Sequence, residues 1–155
     1  MKTRTLTKKK LKRLEDSGSK IIEVLKRDER LDKIAQDIAH HFPRRGFLGK
    51  GMVVSVDKFT AVKMYDKVRC YWELEKKNLI IERSKAATKE ERDELQARFD
   101  YMNNVEMAVI ISEDADEEKK FSEQGLNIKP HRDKMNKIVD GVDIEDRFKD
   151  KNDPL

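Results

Sequence analysis

Cysteine is almost absent from this sequence: Cys70 stands alone among 155 residues. No intramolecular disulfide can form, and a reducing compartment suits such a chain. Three prolines and six glycines leave long stretches without a breaker. Aromatic residues make up only 6% and hydrophobic residues 37%, so the core is modest. No apolar run approaches the roughly 20 residues that span a bilayer, and the charged N-terminus lacks the apolar stretch of a signal peptide. The expectation is a cytoplasmic chain with one domain's worth of core.

What the sequence has instead is charge, 43% of it, with 35 basic and 31 acidic residues and a formal net charge of +4. The sum says little and the distribution says more. Met1 to Arg13, MKTRTLTKKKLKR, carries basic residues and no acidic one, whereas SEDADEEKK and VDIEDRFKDKNDP are acidic or mixed. A basic arm binds nucleic acid through counterion release; it is equally the composition of a solvated, frayed terminus.

Ile21, Ile22, Leu25, Leu31, Ile34 and Ile38 recur at spacings near three and four, which predicts one long amphipathic helix or two in sequence. Pro43 and Gly46 end it. GMVVSV is a short uncharged run rich in β-branched residues, as in a strand covered on both faces. Asp57 follows as an N-cap, and Phe59, Val62, Met64, Tyr65 and Val68 return to helical spacing. Thr88 and Glu91 form a capping box that opens a further charged helix carrying Leu95 and Phe99 inward. EMAVIIS reads as a second strand, again followed by a polar turn and a helix, and LIIE, Leu79 to Glu82, is a candidate third. Short helices and loops follow from Gly125. Strands separated by helices predict an α/β fold with a parallel sheet. The expected layout is a basic arm over 1–18, an amphipathic helical linker over 19–45 and an incomplete three-layer domain over 46–155.

RRGFLGKGMVVSVDKF looks at first like a phosphate-binding loop. The P-loop motif needs Ser or Thr after Gly-Lys, a first glycine five residues before the lysine's glycine, and a strand before the loop. Here Gly51 follows Lys50, Arg44 occupies the first glycine's place, and the strand comes after the loop. Ligands of open α/β sheets bind outside the carboxyl ends of the strands. That end is made by Ser55, Asp57 and Lys58, and by Ser112 after the second run. Serine hydroxyls, a helix N-terminus and a lysine suit a nucleic-acid backbone phosphate; the plainer reading is that Asp57 only caps and Lys58 is solvated.

Other chemistry-bearing residues read as structural. Glu75-Lys76-Lys77 and Glu117-Glu118-Lys119 spell the E-x-K of nucleases but fall on helices with no partner aspartate, and read as solvated helix faces. His40-His41 end a helix, and His131 has no Cys or His at ligand spacing. Met52, Met64, Met102, Met107 and Met135 read as packing, as does Cys70. Arg44-Arg45 read as an exposed turn able to touch DNA or simply solvated.

The segment IAQDIAHHFPRRGFLGKGMVVSVDKFTAVKMYDKV resembles the start of the second RecA-like motor domain in the R (motor and nuclease) subunit of type I restriction–modification enzymes, which are superfamily 2 translocases. The matching positions are Lys50-Gly51-Met52-Val53-Val54, Lys58, Ala61-Val62 and Tyr65-Asp66. EMAVIISEDADEEKKF, IKPHRDKMN and DIEDRFKDKNDPL are similar to later parts of that domain, with Lys151 where a proline is usual. The likeness runs from Leu31 to Leu155 and is loose over Trp72 to Asn104. It implies a partial RecA-like parallel sheet flanked by helices. It also implies a double-stranded DNA partner, and the rest of the R subunit with the methylation and specificity subunits. ATP and Mg²⁺ belong to the complete parent subunit; its ATPase motifs and nuclease domain have no counterpart in these residues, so no cofactor is expected here. Ser55, Asp57, Lys58 and Ser112 become the implied DNA-side residues. The competing expectation is a small basic interaction or nucleic-acid-binding module without enzymatic activity.

Overall fold

A computed structural model describes the backbone of residues 8–46 and 49–155, and the side chains from residue 17 onward within them. The first helix, α1 (Lys8–Leu25), begins inside the stretch expected as a basic arm; Met1 to Thr7 lie outside the described residues. The chain breaks at Lys26 and Arg27 and resumes as α2 (Asp28–His41), so the long apolar spacing is realised as two helices. Asp28 and Glu29 in the first turn of α2 favour the positive end of its dipole. A 3₁₀ turn, Phe42–Arg44, carries Pro43 where a missing N–H costs nothing.

The centre of the molecule is α3 (Lys58–Lys85), 28 residues without a glycine or proline and about 42 Å long. Asp57 caps it, its Oδ1 accepting the Thr60 N–H at 2.7 Å. Its buried residues Met64, Val68, Trp72, Glu75 and Leu79 step by four, four, three and four along one stripe. On one side α2 presents Leu31 and Ala35 to Met64 and Val68. On the other, α4 (Lys89–Asn104) presents Met102 to Trp72 and Leu79, with Ala39 of α2 completing that cluster. The Trp72 indole N–H donates to the Met102 carbonyl at 2.9 Å, pinning α3 to α4. Thr88 caps α4 as expected: its Oγ1 accepts from Glu91 N–H at 3.1 Å, while Glu91 reaches back to the Ala87 N–H at 3.0 Å.

Three short helices complete the chain: α5 (Glu117–Glu123), α6 (Lys129–Met135) and α7 (Ile144–Lys149). Phe121 and Ile128 pack with Val62 of α3 and Val109 into a third cluster. Between α6 and α7, Asp140 and Gly141 both take positive φ, 53° and 83°, in a two-residue turn closed by reciprocal Val139–Val142 hydrogen bonds.

The expected α/β sheet is not there. Among the described residues the structure is mostly helical (66%) with almost no strand (1%) and no sheet, which overturns the three-layer, partial RecA-like parallel sheet. Three facts account for it. LIIE is helix, because Leu79 continues the buried stripe of α3. GMVVSV and EMAVIIS are irregular, neither helix nor strand, although β-branched residues favour strands, and the described residues form no ladder between them or to any third run. EMAVIIS instead buries Val109 against helices and gives its carbonyls to side chains: Met107 to Lys134 at 2.6 Å and Ile111 to Arg132 at 3.2 Å.

Candidate nucleic-acid interface

The four residues singled out at the ends of the two apolar runs have different fates. Asp57 is committed to structure. It caps α3 and forms an ion pair with Lys26 at the α1–α2 junction. Burial alone would raise its carboxyl, but the Lys26 and Thr60 hydrogen bonds outweigh this and hold it below the ordinary aspartate range. Asp57 therefore stays ionised and is a poor neighbour for a phosphate. Lys58 opens α3, where the first N–H groups of a helix lack intrahelical partners. Ser55 is half-buried in the irregular run, just before Val56 and the cap.

Ser112 is exposed, and its carbonyl is held by the Arg132 guanidinium at 3.4 Å. That guanidinium is itself fixed by a two-pronged pair with Glu117, Nε to Oε1 at 2.8 Å and Nη2 to Oε2 at 2.7 Å. The pair holds Glu117 below its ordinary range, burial opposing, and raises Arg132. Asp114 is lowered chiefly by the Lys120 ammonium, 3.1 Å away. Lys58 contributes to the lowering of both Asp114 and Glu117. Lys58 thus lies within electrostatic reach of Asp114 and Glu117 in the segment after Ser112, far from it in sequence. The charges there are mixed: Lys26, Lys58, Lys120 and Arg132 interleave with Asp57, Asp114 and Glu117. A phosphate meeting Lys58 competes with two carboxylates, which makes any contact weak and sensitive to salt.

Arg132 was not singled out from the sequence, and Glu117 was read only as part of an E-x-K triplet on a helix, not as its partner. They lie 15 residues apart on separate short helices, so no periodicity links them. The Asp140-Gly141 turn was also missed, although Val-Asp-Gly-Val carries the Asp-Gly turn signal.

Several other expectations change. Arg44 and Arg45 are not a free basic turn. Arg44 forms an ion pair with Glu75, which is buried on the α3 stripe, and donates to the His40 carbonyl at 2.7 Å. Arg45 lies over the Phe42 ring, 3.4 Å from its centroid, and donates to the Gly49 carbonyl at 2.7 Å. Cys70 is exposed, not packed. Met52 is exposed as well, while Met64 and Met102 are core. Gly51 is required by close approach: a Cβ there would run into the Phe42 ring. Lys50 donates to the Arg147 carbonyl at 2.8 Å, so the lysine of the loop serves the fold. Both E-x-K triplets fall on helices, as expected, but they are not simply solvated: Glu75 is buried against Arg44 and Glu117 is held by Arg132.

Among the described residues, no group of three or more His, Cys, Asp or Glu side chains is placed to hold a metal ion. No described helix is long and apolar enough to cross a membrane. Compared with family models, curated proteins and solved structures, the chain has no match.

Proposed function

We propose that this chain is a non-catalytic, DNA-contacting part of the translocase (R) subunit of a type I restriction–modification enzyme. The family assignment rests on the sequence likeness over Ile34 to Asp66 and over the last residues. The observation that supports a contact surface is that Lys58 lies within electrostatic reach of Asp114 and Glu117, in the segment following Ser112. Ser55, Lys58 and Ser112 meet the DNA backbone, with the free N–H groups at the start of α3 beside them. Asp57 orders the helix start and does not touch phosphate. Sequence readout is not part of the role, because hydroxyl, lysine and backbone contacts to phosphate carry no base information. ATP turnover belongs to the parent subunit. Its partners are double-stranded DNA, the remainder of that subunit, and the methylation and specificity subunits.

Fluorescence anisotropy with a labelled DNA duplex tests this. The purified chain is expected to bind weakly, to lose affinity in Lys58→Ala and to hydrolyse no ATP. Binding unchanged by Lys58→Ala but abolished by deleting Met1 to Arg13 would move the contact to the basic arm. ATP hydrolysis by the chain would overturn the non-catalytic reading.

A further inference from the structure

The helix α1 carries an apolar face that the rest of the described fold leaves uncovered. Ile21, Ile22 and Val24 are 60%, 45% and 42% exposed, and Leu25 is half-buried. None of the three core clusters draws on a described residue of α1. At about 100° of turn per residue, these four share one uncharged arc of the helix with Ser17 and Gly18, and Lys20 and Glu23 fall on the opposite side. In the sequence, Leu11, Leu14, Gly18 and Leu25 extend the same spacing by steps of three, four and seven.

Charge decides what covers this face. Residues 1–27 hold ten Lys and Arg against three Asp and Glu, a net +7; the whole chain is +4, so the remainder carries −3. A second copy of α1 would bring two such basic segments together, which their repulsion opposes. A DNA backbone would use the lysines and gain nothing from the exposed isoleucines. An anionic bilayer surface uses both, its head groups meeting the basic residues and its acyl boundary taking the apolar ones. We propose that α1 lies flat on an anionic lipid surface along its 18 residues, about 27 Å. Lying on the surface needs no spanning segment, and no described helix is one. The ion pair of Lys26 with Asp57 fastens the end of α1 to the start of α3, so the body is carried with the helix. DNA contact at Lys58 uses other residues and is independent of this surface.

Co-sedimentation of the full chain with phosphatidylserine-containing vesicles, against pure phosphatidylcholine vesicles, tests this. Binding is expected to the anionic vesicles alone, weakening as salt rises. Ile21→Ala with Ile22→Ala removes exposed apolar surface while keeping strong helix formers, and should weaken binding by about tenfold or more. Lys20→Glu should weaken it by about fivefold or more. Helical circular dichroism and affinity for a DNA duplex should be unchanged in the double variant. No binding to anionic vesicles would overturn the proposal, as would equal binding to both vesicles or binding indifferent to the double variant. Duplex affinity that falls in the double variant would give the face to nucleic acid instead. A dimer lost in that variant, without vesicle binding, would give it to a second copy, and either result overturns the lipid surface.

Discussion

At the scale of single residues, Arg132 is the side chain on which the most contacts depend. It holds Glu117 with two hydrogen bonds and takes the Ile111 and Ser112 carbonyls with the rest of its fork. Only a planar guanidinium reaches all of these, so Lys is not a conservative replacement. Arg132→Lys should cost about 1–3 kcal/mol in urea denaturation, because Glu117 and a backbone carbonyl lose charge-assisted partners. His131, beside it, is buried edge-on to Tyr65 with ring centroids 4.7 Å apart. Burial holds its ring below the usual histidine range, Asp66 opposing and Lys134 adding to the effect. The unfolded chain therefore takes up a proton that the folded chain resists, and stability falls as pH drops below about 6.5. The thermal midpoint should decline between about pH 7 and pH 5.5, and His131→Phe should flatten that decline. The lowered carboxyls of Asp57, Glu106, Glu117 and Asp153 act later. Their contribution is complete only above the ordinary carboxylate range, from about pH 5.5, and is lost as pH falls through their folded values. Asp66, raised by burial, works the other way and gains on protonation. Of these residues, the sequence made Asp57 legible as a cap because its partner is three positions away. The Arg132–Glu117 pair was illegible because only folding brings its members together.

At the scale of elements, the sharpest difference between expectation and structure lies in LIIE. A β-branched pair flanked by Leu suggests a strand locally, but Leu79 falls on the stripe of α3 and Ile80 and Ile81 do not. Leu79→Ala should therefore cost about 2–5 kcal/mol, while Ile80→Ala and Ile81→Ala should each stay within about 0.5 kcal/mol. Comparable losses at all three, measured by chemical denaturation, would mean a buried strand and contradict the helix. The capping signals at Asp57 and Thr88 located two helix starts within a residue, since caps are local chemistry. The two apolar runs, read as strands, form neither helix nor strand. That they pair with nothing among the described residues could not be read from their own composition, because a ladder needs a neighbour and a neighbour is a long-range fact.

At the scale of the whole molecule, α3 joins everything: it contributes to all three core clusters. The last residues are tied back to this body by Arg147, which holds Asp153 at 2.9 and 3.0 Å and Glu106 at 2.5 Å. Glu106 in turn donates its N–H to the Pro154 carbonyl at 2.7 Å, and Leu155 is buried. Arg147→Met should strand Asp153, while Glu106 keeps Lys134 2.8 Å away, and cost about 1–3 kcal/mol. Limited proteolysis should then cut first after α7. The same body brings Lys58 within electrostatic reach of the segment after Ser112, and the proposed role rests on that proximity. Its most direct measurement is the salt dependence of DNA affinity for the intact chain and for Lys58→Ala. If Lys58 meets a backbone phosphate, the slope of log K against log salt should shrink by about one in the variant, uniformly across duplex sequences. An unchanged slope and unchanged affinity would contradict it.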